Sequence, residues 1–120
     1  MAGKRVLVVD DDPDIRELLF TALEDEGFEV VPAGNGEEAL AIIRTFRPDV
    51  IVLDLMMPVM DGWQFAAELR SRDEDIPLVL LSAAPDLESH AKTLAAAEII
   101  EKPFELSELL PKIARVADAA

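Results

Sequence analysis

The chain has 120 residues, enough for one domain with its own packed core but not for two. Asp and Glu number 25 against 11 Lys and Arg, a net charge of −14 that would repel the phosphate backbone of a nucleic acid. The absence of cysteine excludes disulfides and thiol catalysis, and no apolar run approaches the ~18 residues of a membrane span. We therefore expect one cytoplasmic domain, residues 1–120, that binds neither nucleic acid nor membranes directly.

Five short apolar runs predict five β-strands. Three of them are nearly continuous in Val, Ile and Leu, which is typical of strands buried on both faces of a parallel sheet. The second run contains Pro32, which cannot donate a ladder hydrogen bond, so we expect this strand at a sheet edge. The predicted strands are Arg5–Val9, Glu29–Ala33, Val50–Leu53, Leu78–Leu81 and Glu98–Glu101.

Helical periodicity follows each predicted strand. The first helix is expected to begin after an N-cap at Asp12, with Pro13 in its first position and Gly27 after its end. Its predicted buried face follows the spacing i, i+3, i+4, i+7, i+8. That face consists of Ile15, Leu18, Leu19, Ala22 and Leu23.

The later helices carry start signals of the same kind. Asn35 with Glu38 three residues on predicts a capping box, and Asp61 predicts the start of a third helix. Pro111 falls inside the last helix, where a tight turn or a kink is expected. The fourth and fifth helices are predicted over about Leu87–Ala96 and Leu106–Val116.

Strands and helices thus alternate five times, the pattern of an α/β protein whose parallel sheet is covered by helices on both faces. In an open parallel sheet, ligands bind beyond the carboxyl ends of the strands. Polar residues follow four of the five strands at this edge. They are Asp10, Asp11 and Asp12 after the first, Asp54 after the third, Ser82 after the fourth and Lys102 after the fifth.

This set of residues favours phosphoryl chemistry. Clustered carboxylates repel one another unless a cation lies among them, and Mg²⁺ prefers oxygen ligands while leaving positions for phosphate oxygens. A carboxylate can also act as the nucleophile and form an acyl phosphate. Lys102 and Ser82 would then offer a positive charge and a hydroxyl to the phosphoryl oxygens.

Four motifs, in order, closely resemble the receiver domain of two-component response regulators. They are VLVVDDDPDIRELL, PDVIVLDLMMPVMDG, LVLLSA and EKPF, and the resemblance covers nearly the whole chain. It implies a flavodoxin-like, doubly wound (βα)5 fold with strand order 2-1-3-4-5. It further implies a signalling domain that assists its own phosphorylation and dephosphorylation, rather than an enzyme acting on a separate substrate.

The resemblance also implies roles for individual residues. Asp54 matches the aspartate that a histidine kinase or phosphotransfer protein phosphorylates. Asp10 and Asp11 match the acidic pair that binds Mg²⁺ together with Asp54 and the backbone carbonyl of Met56. The downstream partner stays unidentified.

Other matched positions concern the switch. Ser82 matches the hydroxyl residue that turns towards the phosphoryl group, and Lys102 matches a lysine that usually precedes a cis proline. Ile99 stands where the family usually has a switch aromatic, and the acidic pair that one subfamily uses for dimer contacts is replaced by Ala97-Glu98. We expect signalling through the surface of the fourth helix, fifth strand and fifth helix, from a monomer, with a dimer through the same surface as the alternative.

Two other functions fit parts of the sequence. The pattern Asp10-x-Asp12-x-Asp14 is similar to that of phosphohydrolases with an aspartate nucleophile, which would place the phosphoryl group on Asp10. Against this, the chain has no room for a cap domain. A binding module that works through its fourth and fifth helices without phosphorylation is the second alternative.

Several conspicuous residues have simpler interpretations. We expect His90 to be a surface residue, because no second ligand stands at helical spacing from it. Trp63 is expected to be a half-buried packing residue. Met56, Met57 and Met60 are interpreted as loop packing rather than a soft-metal site.

Overall fold

Five strands alternate with five helices in the computed structural model, which describes residues 3–119. The strands are β1 (Arg5–Val9), β2 (Glu29–Ala33), β3 (Val50–Leu53), β4 (Leu78–Ser82) and β5 (Glu98–Glu101). The helices are α1 (Pro13–Asp25), α2 (Gly36–Phe46), α3 (Gly62–Ser71), α4 (Leu87–Leu94) and α5 (Leu106–Ala119).

The strands form one parallel sheet in the order β2-β1-β3-β4-β5, so the expected topology is confirmed. β2 lies at an edge, as Pro32 predicts, and β3 and β4 in the interior are buried along their whole length. The register pairs Val9 with Leu53 on the neighbouring strand. The residues that follow these two, Asp10 and Asp54, therefore leave the sheet side by side.

Each face of the sheet has its own apolar core. Successive residues of β1 point to opposite faces, so Leu7 packs in one core and Val8 in the other. One core contains the buried faces of α2, α3 and α4, and the other those of α1 and α5. The helices thereby fix the sheet from both sides and leave its carboxyl edge to the loops.

Helix caps largely follow the predicted signals. The Asp12 side chain accepts from the N–H of Asp14, and Gly27 takes a positive φ of 95° after α1, both as expected. Asn35 caps α2, but the Glu38 carboxylate accepts from Gly34 rather than from Asn35, so the expected capping box is not complete. The complete box stands at α3 instead, between Asp61 and Gln64.

Other boundaries and faces differ from the expectation. Leu18 is 44% exposed, because α1 turns only the narrower stripe through Leu19 and Leu23 into the core. α4 ends at Leu94, since Ala95 adopts the left-handed conformation with φ 54°. α5 continues through Pro111 to Ala119, because the carbonyl that loses its partner belongs to exposed Ser107, where water can replace the bond.

Across residues 3–119, none of the helices combines the length and the apolar character that crossing a membrane requires.

Candidate functional site

Three carboxylates meet at the carboxyl edge of the sheet. Main-chain hydrogen bonds fix both strand ends, because Asp54 N–H donates to Val9 on β1 and Asp10 N–H donates to Ala33 on β2. Asp10 is 1% exposed and Asp54 4%, whereas Asp11 points to solvent. One oxygen from each of Asp10, Asp11 and Asp54 lies within 4.8 Å of the others. The structure thus brings together three of the four carboxylates that the sequence places at this edge, while the fourth, Asp12, caps α1.

Asp10 has one carboxylate oxygen without a hydrogen bond. Its Oδ1 accepts from the backbone N–H of Asp12 at 2.9 Å. Its Oδ2 is fully buried and, within residues 3–119, has no hydrogen-bond donor, although Lys102 Nζ lies 2.8 Å away as an ion-pair partner without hydrogen-bond geometry. A buried carboxylate oxygen of this kind could serve as a ligand for a cation.

Lys102 lies between the two buried carboxylates. Its Nζ is 2.9 Å from Asp54 Oδ2 and 2.8 Å from Asp10 Oδ2. The chain places it there by pairing Ser82 with Glu101 across β4 and β5, and the Lys102–Pro103 peptide is cis, as the resemblance implies. The ammonium is therefore placed as the counter-ion of both aspartates.

Burial and charge shift two pKa values at this site. Burial raises the pKa of Asp10, and the attraction of Lys102 with the Asp12 N–H only partly offsets this. Burial alone would lower the pKa of Lys102, but Asp10 and Asp54 more than compensate, so the pKa is raised and the ammonium stays charged. The site thus holds an ammonium that stays charged beside a carboxylate whose ionised form is disfavoured by burial.

The second oxygen of Asp54 contacts hydroxyl and backbone donors. Ser82 Oγ donates to Asp54 Oδ1 at 2.9 Å, and the Met56 N–H donates to the same oxygen at 3.1 Å. Ser82 Oγ in turn accepts from the N–H of Ala84 at 3.2 Å. Asp54 is therefore linked through one buried hydroxyl to the loop that leads into α4.

Two supporting residues were not singled out from the sequence. Gly62 approaches the strand end so closely that a Cβ there would lie 2.6 Å from the Asp54 carbonyl oxygen, and its N–H donates to Leu55. Arg16 donates from Nη1 to the Asp10 carbonyl at 2.8 Å. Asp61 predicts only a helix start, and Arg16 and Gly62 lie within the quoted motifs without a predicted role, because a sequence pattern does not show which backbone atoms a residue will contact.

Three methionines and Ile99 differ in exposure and in their contacts. Met56 is 57% exposed, Met57 is buried and Met60 half-buried in the core under α2 and α3, so loop packing accounts for the last two. Ile99 is half-buried on β5, and its carbonyl accepts from Lys112 Nζ at 3.0 Å.

His90 is not the free surface residue that was expected. It is half-buried on α4, and its Nδ1 accepts from Trp63 Nε1 at 3.2 Å. Trp63 is half-buried on α3, as predicted, but it bonds to a partner as well as packing. Periodicity in one helix does not show which neighbouring helix its exposed edge will meet.

Comparison with known proteins decides the family. The sequence model of the response regulator receiver domain matches residues 6–114. The chain belongs to the response regulator receiver domain family. This receiver domain is 43% identical over 115 residues to the transcriptional regulatory protein PrrA of Mycobacterium tuberculosis, covering 94% of this chain and 49% of that protein. The chain thus spans about half the length of the curated relatives it matches.

Solved receiver structures share the fold. The response regulator TrrA of Thermotoga maritima, in complex with Mg²⁺ and BeF, is 41% identical with a TM-score of 0.83, over 94% of this chain and 98% of that one. The chemotaxis protein CheY4 of Vibrio cholerae is 36% identical with a TM-score of 0.87, over 96% and 99%. The acidic cluster of this receiver domain is one that could bind a metal ion.

Proposed function

We propose that this receiver domain accepts a phosphoryl group on Asp54 from a histidine kinase or phosphotransfer protein, in an Mg²⁺-dependent reaction. One observation carries the proposal. The Asp54 carboxylate is buried beside two further carboxylates, with an ammonium on one oxygen and a hydroxyl on the other.

The contacts of Asp54 suit it to be the nucleophile. Oδ1 accepts two hydrogen bonds, from Ser82 and Met56, whereas Oδ2 accepts one, from Lys102. Oδ2 therefore keeps a lone pair that can form a bond to phosphorus. As that bond forms, the bond from phosphorus to the donor breaks, and its electron pair leaves with the donor nitrogen or oxygen.

Lys102 and Ser82 stabilise the transferred group. The Lys102 ammonium already lies 2.9 Å from the attacking oxygen, so it can pair with the phosphoryl oxygens without a large movement. The Ser82 hydroxyl can release Asp54 Oδ1 and donate to a phosphoryl oxygen instead. Attack by water on phosphorus, in line with the Asp54 oxygen, later returns the carboxylate and inorganic phosphate.

The same residues fit a magnesium ion. Asp10, Asp11 and Asp54 are hard oxygen donors, and the buried Asp10 Oδ2 lacks a hydrogen bond within residues 3–119. We propose these three carboxylates and the Met56 backbone carbonyl as its protein ligands. When bound, Mg²⁺ neutralises charge on the transferring phosphoryl group.

The switch is proposed to run through the loop after β4. Ser82 joins Asp54 to the N–H of Ala84, so a turn of this hydroxyl breaks a hydrogen bond that holds the segment leading into α4. Ile99 has no ring to reorient, and a β-branched side chain in a strand is stiff about χ1. Structures with and without a beryllium fluoride phosphoryl mimic should show Ser82–Leu87 displaced and the Ile99 rotamer unchanged. A reoriented Ile99 over an unmoved loop would refute this route.

The output surface of this proposal is formed by α4, β5 and α5. On this surface Glu98 forms ion pairs with two basic residues of α5. Arg115 Nη2 lies 3.1 Å from Glu98 Oε2, and Lys112 Nζ lies 3.8 Å from Glu98 Oε1. We therefore propose a cytoplasmic monomer that signals to a protein partner. Sedimentation with and without the phosphoryl mimic tests this state, since a phosphorylation-dependent dimer would contradict it.

Intact mass spectrometry tests the phosphoacceptor role. The parent should gain one phosphoryl mass with acetyl phosphate and Mg²⁺, and lose this gain in excess chelator. Asp54→Asn should gain none, while Asp12→Asn, which changes only the α1 cap, should behave as the parent. Equal labelling of the parent and Asp54→Asn would overturn the proposal.

A further inference from the structure

Helix α4 is attached to the domain mainly at its ends. It has eight residues, of which only Leu87 and Leu94 are buried. Asp86 before it and Ala95 after it both adopt the left-handed conformation, and within residues 3–119 the Asp86 side chain makes no capping hydrogen bond. Between these ends, the small and partly buried side chain of Ala91 packs against the core, so the middle of the helix depends on further contacts from its side.

One such contact comes from α3. Trp63 Nε1 donates to His90 Nδ1 at 3.2 Å, and the two rings meet edge to face with centroids 5.0 Å apart. The backbone at Trp63 is held in place, because the preceding residue, Gly62, is hydrogen-bonded to Leu55 and packed against the Asp54 carbonyl. Nearer the end of α4, the Arg70 guanidinium donates to the Leu94 carbonyl.

The Trp63–His90 bond depends on the protonation state of the histidine. An indole N–H can only donate, and an imidazole nitrogen accepts only while it carries no proton. A protonated His90 would present an N–H to the Trp63 N–H, so the bond must break. Histidine is the side chain whose charge ordinarily changes between about pH 5 and 8.

We propose that the Trp63–His90 hydrogen bond is a pH-sensitive latch, which holds the middle of α4 against α3 while His90 is neutral and releases it when His90 is protonated. The release leaves α4 held by its buried residues Leu87 and Leu94 and by the Arg70 contact, so the middle of the helix loosens. The latch requires no phosphorylation, and it acts on the helix that follows the Ser82 loop.

The charged groups near His90 lie on α3, α4 and β5. In the part of the chain that the structure describes, no ion pair joins His90 to a carboxylate. On β5, Glu98 is paired with Arg115 and Glu101 is exposed. The charged residues on and next to α4 and α3 are Asp86, Glu88, Lys92, Asp61, Glu68, Arg70 and Arg72.

The single tryptophan of the chain makes the latch observable. The emission of Trp63 should change in one step between about pH 8 and 5 in the parent. His90→Gln retains an amide oxygen that can accept from the indole but does not titrate, so its emission should stay flat. Trp63→Phe removes the donor and serves as the permanently released form.

Hydrogen exchange shows whether the latch holds the helix. In the parent, the ratio of α4 to α5 amide exchange rates should rise about fivefold from neutral pH to about pH 5.5, the effect of losing one neutral hydrogen bond. Trp63→Phe should show the raised ratio at both pH values, and His90→Gln an unchanging ratio. An equal pH response in the parent and His90→Gln, or a parent whose ratio does not change, would overturn the proposal.

Discussion

Replacing Asp10 with Asn should stabilise the metal-free protein while removing its response to Mg²⁺. The pKa of Asp10 is raised because the carboxylate is buried, against the smaller opposing effect of Lys102. A raised pKa in the folded state means that the ionised group opposes folding at neutral pH. Asn keeps the shape of the side chain without the charge, and Lys102 keeps its hydrogen bond to Asp54.

The direction of this effect follows from the burial of Asp10, which is 1% exposed. Single substitutions ordinarily change the free energy of unfolding by about 0.5–3 kcal/mol, and we expect the gain of Asp10→Asn at the low end of that range. At this chain length, 1 kcal/mol corresponds to about 4 °C in melting temperature. The advantage should shrink as pH falls through the raised pKa of Asp10 towards 3.8, because protonation then relieves the parent as well.

Thermal unfolding in chelator, at neutral pH and near pH 4, measures the difference. Asp11→Asn is the matched control, because Asp11 is exposed and its substitution should change stability by less than about 0.5 kcal/mol. Saturating Mg²⁺ should raise the melting temperature of the parent but of neither variant. An Asp10→Asn protein that is less stable than the parent at neutral pH would refute the reasoning.

Three further substitutions test the backbone around the site. Val59→Gly should stabilise the protein by about 0.5 kcal/mol in urea unfolding, because the backbone of Val59 is strained at φ 69° and its side chain is 73% exposed. Unchanged or lower stability would contradict this. Gly62→Ala should cost about 1–3 kcal/mol and slow phosphorylation, since its Cβ would lie 2.6 Å from the Asp54 carbonyl, and a wild-type rate would contradict it. Arg16→Met should weaken the Mg²⁺-dependent rise in melting temperature by freeing the Asp10 carbonyl, whereas exposed Arg44→Met should not.

Much of the fold could be predicted because the apolar pattern of each strand agrees with the place of that strand in the sheet. The apolar runs of β1, β3 and β4 have no polar face, so only strands buried on both sides accommodate them. Pro32 excluded β2 from the interior. The convergence of Asp10, Asp54 and Lys102 follows directly from the parallel alignment of the strands they terminate.

Contacts between elements that are distant in sequence could not be predicted. Leu18 matches the helical spacing of α1, yet it is 44% exposed because the helix turns only the stripe through Leu19 and Leu23 into the core. The bond between Trp63 and His90 depends on the rotation of two helices about their own axes, which neither periodicity determines. The close approach of Gly62 to the Asp54 backbone likewise depends on the loop path between β3 and α3.

Mapping the phosphorylated residue is the most direct test of the central claim. After reaction with acetyl phosphate and Mg²⁺, borohydride reduction of the acyl phosphate converts the modified aspartate to homoserine, which peptide sequencing locates. We predict the label at Asp54, whose Oδ2 keeps a lone pair beside the Lys102 ammonium. Label at Asp10 would contradict the account, and would favour instead a phosphohydrolase-like use of the first acidic cluster.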